Sequence, residues 1–293
     1  MRTITSAAVG FVLAGALILP GCSSHQVSSQ DLEQRLEELG YEVLGKKVDD
    51  PANTNYIILF PEAHGGNTQE IADTIKVLGK HGLFRRIGLE NYVGKTGENL
   101  IDETNKLYAN KKFLHLDPKS PTIKAYGDFL TQKFEVPAYG LEEPKEYDLG
   151  VCAKDIEFEE TVLGFSDNLH RVSKGEKGYP CESVERAMPN IKNALERLEI
   201  VYDNTIFQDA NAWRHFYWEI TPQLRKVKVD DRNHVFLEKF KPGDCIPIGH
   251  SHIPSLVKSY DGNVFVVSSY NLKTNPNAPL YNKFLKKELG FTE

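Results

Sequence analysis

The sequence predicts an α/β fold: a mainly parallel central sheet flanked by helices, with a helical insertion between the third and fourth strands. Three observations lead there. Short apolar runs that end in a carboxylate alternate with stretches of helical periodicity through the first half of the chain. Beyond Glu143 the strand signal gives way to amphipathic helical patterns. From Cys245 onward two more apolar runs follow, the first ending in Gly249-His250-Ser251-His252.

In chain order, Asp31 to Leu39 places Leu32, Leu36 and Leu39 at helical spacing. Tyr56 to Phe60 is the first strand, and it stops at Pro61-Glu62-Ala63-His64-Gly65-Gly66-Asn67. In extended backbone Glu62 and His64 point to the same side. The two glycines permit a sharp turn, and Asn67-Thr68-Gln69-Glu70 has the form of an N-cap with a capping-box acid. A helix from about Thr68 to Gly79 follows, with Ile71, Ile75 and Leu78 on one face. Arg86 to Leu89 is the second strand and ends at Glu90. Helices near Asn99–Asn110 and Thr122–Lys133 lead to a third strand, Val136 to Glu143, carrying Glu142 and Glu143 at its end. Strands separated by helices imply right-handed crossovers and parallel pairing, so these ends share one edge of the sheet. The insertion, about 145–228, contains amphipathic helices over Glu182–Val201, with Pro189 inside, and Thr205–Lys226. A helix over Asp230–Phe240 and strands at Cys245–Gly249 and Val264–Ser268 complete the pattern.

A length of 293 residues, 40% hydrophobic and 26% charged, suits a single globular domain, here residues 31–293. A net charge of -6 argues against a nucleic-acid partner. Residues 1–21 read as a signal peptide: Arg2 gives a positive start, and the apolar core from Ala7 to Leu19 is shorter than the ~20 residues that span a bilayer. It ends in Leu19-Pro20-Gly21-Cys22, which resembles the lipobox of bacterial lipoproteins. That resemblance implies lipidation of Cys22, a membrane as partner and a location in the bacterial cell envelope, on the outer membrane if the cell is Gram-negative. Residues 22–30 read as a tether. Cys152, Cys181 and Cys245 remain; with no C-x-x-C pair they do not suggest a structural zinc site, and either one disulfide or unpaired thiols fits.

Each of the first three strands delivers a carboxylate, and the fourth delivers imidazoles, to one edge. Taken in order, Phe60-Pro61-Glu62-Ala63-His64-Gly65, Ile87-Gly88-Leu89-Glu90, Tyr139-Gly140-Leu141-Glu142, Asp231-Arg232-Asn233 and Ile248-Gly249-His250-Ser251-His252 resemble a superfamily pattern. The superfamily comprises the erythromycin-esterase-like proteins, the ChaN-type haem-binding lipoproteins and the TraB/Tiki metalloproteases. Length and lipobox are most similar to the ChaN-type lipoproteins. Pro61 stands where that pattern usually has glycine.

The resemblance implies a site of Glu62, His64, Glu90, Glu142, Arg232 and His252. By residue type, Glu62 suits a general base or a metal ligand, and His64 and His252 suit metal coordination or proton transfer. Glu90 and Glu142 suit a metal shell or support of a histidine, and Arg232, at a helix start, suits an oxyanion or carboxylate. Clustered acids should raise at least one pKa. If the loop is extended, His250 shares a face with His252. Trp213, Phe216, Tyr217 and Trp218 read as core, with a hydrophobic ligand pocket as the alternative and His215 among them as a candidate haem ligand. Three functions compete: a hydrolase of ester or amide bonds, assisted or not by a divalent metal at Glu62, His64 and His252; a haem- or iron-binding lipoprotein; and a non-catalytic envelope scaffold.

Overall fold

A computed structural model describes residues 27–63, 66–94, 100–107, 121–131, 133–176 and 184–291. The signal segment, Cys22, His64 and Cys181 lie outside the described residues.

The molecule is α/β, as the sequence predicts. Its strands are β1 (Val43–Lys47), β2 (Tyr56–Glu62), β3 (Arg86–Leu89), β4 (Ala138–Gly140), β5 (Asp244–Gly249) and β6 (Asn263–Val267). They form one sheet in the order β1-β6-β2-β5-β3-β4, parallel throughout except for the antiparallel β1–β6 pair. β2 and β5 lie centrally and are buried along their whole length, which accounts for their continuous apolar runs.

β1 is an edge strand that the sequence reading passes over. Only Leu44 of its five residues is buried, Lys46 and Lys47 keep the edge polar, and the register shifts between Val43 and Gly45. A short, bulged, lysine-bearing edge leaves no apolar alternation to detect.

Strand alternation sets two layers. Ile58, Phe60, Ile87 and Leu89 pack beneath α1 (Ser29–Leu39), α2 (Thr68–Lys80) and α4 (Pro121–Leu130). Ile57, Leu59, Ile246, Ile248, Val264 and Val266 face α9 (Asp231–Lys239), α10 (Ile253–Ser259) and α11 (Ala278–Glu288). α3 (Leu100–Leu107) closes the first layer through Leu100. α1 begins inside the segment read as tether: Ser28 caps it through Oγ, which accepts from the Asp31 N–H at 3.1 Å, and Val27 is buried. Ordered structure therefore starts earlier than residue 31.

The insertion follows β4, the third strand read from the sequence. It comprises α5 (Pro144–Thr161), α6 (Phe165–Ser173), α7 (Val184–Arg197), a 3-10 turn (Asn204–Phe207) and α8 (Ala210–Arg225). It has its own core, built on Ile156, Phe165, Ile191, Leu195, Trp213 and Leu224. The aromatic cluster is thus mainly core: Trp213 is fully buried, while Trp218 is 71% exposed. α8 runs through a π-helical turn, Lys226–Asp230, directly into α9. Cys152 and Cys245 are both buried. No helix among the described residues is long and apolar enough to cross a membrane.

Candidate functional site

Four of the six residues singled out meet in one buried network, and a fifth stands beside it. Because β2, β3, β4 and β5 are parallel, their carboxyl ends line up: Glu62 closes β2, Glu90 follows β3, Glu142 follows β4, and His252 lies just past β5. Arg232 reaches the same edge from α9. Glu62, Glu90, Glu142, Arg232 and His252 are each at most 4% exposed. His64 is outside the described residues.

Arg232 is the centre of the network. Its Nη2 donates to Glu90 Oε1 at 2.8 Å and to Glu142 Oε1, and its Nε donates to Glu142 Oε2 at 3.2 Å. The rings of Tyr147 and Phe236 lie 5.6 and 5.4 Å from the guanidinium carbon. Glu90 Oε2 also accepts from the Gly249 N–H at 2.7 Å, and Glu142 Oε1 from the Asn91 N–H at 3.2 Å. These bonds lock β3, β4 and β5 to one guanidinium. Arg232 is not at a free helix start, contrary to expectation, because α8, the π turn and α9 are continuous. Its own side chain, not helix N–H groups, supplies the positive charge.

His252 has one defined tautomer. Asn233 Nδ2 donates to the His252 carbonyl at 3.3 Å, so Asn233 Oδ1 is left to accept from His252 Nδ1–H at 2.6 Å. Nε2 faces Arg232 Nη1 at 3.5 Å and Glu90 Oε1 at 3.7 Å. His250 is exposed. The two histidines do not share a face, because His250–His252 forms a 3-10 turn instead of extended backbone. Glu143 likewise turns outward to Lys239 Nζ at 2.7 Å, which leaves Glu142 as the inward acid.

Glu62 follows Ile58 and Phe60 in strand alternation and points to the layer of α2 and α4. Thr68 Oγ1 donates to its Oε1 at 2.9 Å. The loop before α2 is stitched by Asn67, whose side chain makes no helix cap. Asn67 Oδ1 accepts from the Ala63 N–H and Nδ2 donates to the Pro61 carbonyl, both at 2.9 Å. The expected capping role is thus replaced by a clamp that holds the strand end beside Glu62.

Burial raises the Glu62 pKa to about 7; Thr68 opposes this through its hydrogen bond, Glu90 adds to it by repulsion, and Tyr126 opposes it. Burial also raises the Glu142 pKa against the counteracting Arg232 charge. Burial by itself would lower the Arg232 pKa, but Glu142 and Glu90 outweigh it and raise it. Lys154, on α5, is lowered by burial and by the Arg232 charge.

The sequence reading misses Tyr92 and Tyr126. Each is 1% exposed, and each hydroxyl makes no hydrogen bond. Burial raises both above the ordinary tyrosine value, with the charge of Glu62 next in effect, so both are O–H donors at neutral pH. Tyr126 favours the charged form of Glu62 as a nearby donor while staying outside hydrogen-bonding geometry. Tyr92 lies past the end of β3, where Asn91 turns the chain with φ of 68°, so strand alternation does not point to it; Tyr126 lies in α4 and reads simply as core. Asn233 is the neighbour of Arg232 in a motif already singled out.

The described donor set does not fit a divalent metal. Arg232 occupies the place among Glu90, Glu142 and His252 that a cation would take, and among the described residues no three His, Cys, Asp or Glu could hold one. His215 does not fit a haem pocket: its side chain is 80% exposed and its Nε2 lies 3.2 Å from Glu219 Oε1. The arrangement is suited to moving a proton at Glu62 beside two buried hydroxyl donors, with a fixed arginine–glutamate–histidine frame behind it. No protein family, no curated protein and no solved structure matches the chain.

Proposed function

We propose that the protein is a hydrolase of ester or amide bonds whose reacting centre is Glu62. The observation that carries this reading is a buried carboxyl with a pKa of about 7 next to two buried tyrosine hydroxyls that lack acceptors. A group of that pKa is half ionised near neutrality and can both take and return a proton. Ionised Glu62 removes a proton from water as the water oxygen attacks the substrate carbonyl. The oxyanion that forms accepts from Tyr92 and Tyr126. Glu62 then returns the proton to the leaving oxygen or nitrogen as the bond to carbon breaks.

Arg232 fixes Glu90 by a hydrogen bond, and the charge of Glu90 in turn discourages ionisation of Glu62. His252, itself held by Asn233, faces the guanidinium from the other side. We place the enzyme on a membrane of the cell envelope through lipidated Cys22, an assignment that rests on the sequence of the first residues.

Turnover by the full chain, assayed on an ester and peptide panel with and without added Mn²⁺, Co²⁺ or Zn²⁺, tests the proposal. Glu62→Gln should abolish activity, and Tyr126→Phe should lower kcat by about 10²-fold, the scale of a lost oxyanion donor. A Glu62→Gln variant that turns substrate over at the wild-type rate would sink it. Labelling by palmitate that is lost in Cys22→Ala tests the anchor separately.

A further inference from the structure

The insertion contains a second polar site, separate from the sheet edge. α5 and α7 pack side by side, and such a seam is normally closed by apolar stripes. α7 does send Ala187, Ile191, Ala194 and Leu195 into the insertion core. Its next stripe, Arg186, Asn190, Asn193 and Arg197, is polar, and it faces Asp155 and Glu159, which lie one turn apart on α5. Between the two helices is a cavity of about 370 Å³.

Glu159 is 6% exposed. Its Oε1 accepts from Asn190 Nδ2 at 3.4 Å, while Oε2 is buried with no hydrogen-bond partner. A buried carboxylate oxygen without a donor is unfavourable and calls for a cation or an N–H group. Asp155 does not relieve it. Burial, and then Glu159 itself, push the Asp155 carboxyl up. Of the donors that line the cavity, Arg197 pairs with Asp148 and Asn190 reaches only the other oxygen of Glu159.

The cation that suits this place is organic. No three acidic, histidine or cysteine side chains among the described residues are placed to hold a metal ion. An ammonium group needs fewer charges and carries three N–H donors, which two carboxylates and an asparagine can share. Phe158, Leu163 and Ala194 line the same cavity and offer an apolar wall to a carbon stem. We propose that the α5–α7 cleft binds a small primary amine, its ammonium held between Asp155 and Glu159 and its stem against Phe158, Leu163 and Ala194.

Calorimetric titration of the full chain with 1,4-diaminobutane, and with 1,4-butanediol as a neutral analogue of similar length, tests this. Saturable one-site binding of the diamine is expected, at least tenfold weaker in Glu159→Gln and in Asp155→Asn, with no binding of the diol. Equal binding of the diol, no saturation by the diamine, or unchanged diamine affinity in both variants would each overturn the proposal. The isosteric amides should fold, which far-UV circular dichroism checks; should neither fold, the diamine–diol comparison on the wild-type chain decides the question.

Discussion

At the scale of single residues, the site is dominated by a surplus of buried negative charge. Three buried acids, Glu62, Glu90 and Glu142, share the sheet edge with one arginine, Arg232, which bonds the last two. Glu62 has no such partner, and burial, with repulsion from Glu90 as a smaller addition, moves its pKa from 4.5 to about 7. The folded chain therefore binds a proton at Glu62 that the unfolded chain releases between these values. Its raised folded pKa contributes stability that is fully present below the unfolded value and lost as pH rises through about 7. At ~1.4 kcal/mol per pKa unit the loss is on the order of 3 kcal/mol. Glu62→Gln cannot ionise. It should match wild type in urea unfolding at pH 4 and be more stable by up to about 3 kcal/mol at pH 8, while losing turnover. Equal stability at pH 8 would mean that Glu62 ionises without penalty. For the active enzyme the sign reverses: the base form grows as pH rises, so kcat/KM should climb through about pH 7.

At the scale of elements, the site depends on how closely the strand ends approach one another. Gly140 ends β4 against the backbone of Tyr92 and Val93, and a Cβ there would overlap the Tyr92 carbonyl. The Gly140 N–H donates to the Gly94 carbonyl and the Glu142 N–H to the Tyr92 carbonyl, both within 3.1 Å, so the segment after β3 is fastened to the one after β4. Backbone atoms cannot swing aside as a side chain can. Gly140→Ala should therefore cost about 1–3 kcal/mol in urea unfolding and should move Tyr92, lowering kcat more than it raises KM. A variant with wild-type stability and kinetics would show that this approach does not matter. The elements carrying the acids were legible in the sequence because a buried strand reads as an apolar run and the first polar residue after it is conspicuous. That is why Glu62, Glu90 and Glu142 stand out, whereas the choice of His252 over His250 rests on the resemblance to the superfamily pattern. Tyr126 does not stand out, since an aromatic facing a carboxylate looks the same in sequence as one facing leucine. The π turn before Arg232 was equally hidden: Lys226 to Asp230 has no signal that distinguishes it from a helix end, yet it joins α8 to α9 without a break. The bulged edge of β1 escaped for want of apolar alternation.

At the scale of the whole molecule, two bodies of core are held together through the site. Both tryptophans of the chain lie in the insertion, Trp213 in its core and Trp218 exposed on α8, whereas the sheet has its own two layers. α5 and α9 connect them, and Gly150 of α5 lets Arg232 pass close beneath, since a Cβ there would come 3.2 Å from its Cδ. Arg232 thus ties the base of the insertion to β3 and β4 through Glu90 and Glu142. Removing one partner of a buried ion pair typically costs 3–5 kcal/mol because the remaining charges lose their compensation. In wild type this coupling should make unfolding cooperative, with tryptophan fluorescence and far-UV circular dichroism tracing one transition in urea. In Arg232→Met the guanidinium is lost while both tryptophans keep their surroundings, Trp213 Nε1 still donating to Glu160 Oε2 at 2.7 Å. The sheet edge then carries two buried acids without their arginine, so the sheet should open first and the fluorescence change should lag the dichroism change. Coincident transitions in Arg232→Met, merely shifted together to lower urea, would show that packing between α5, α9 and the sheet couples the two cores without the arginine.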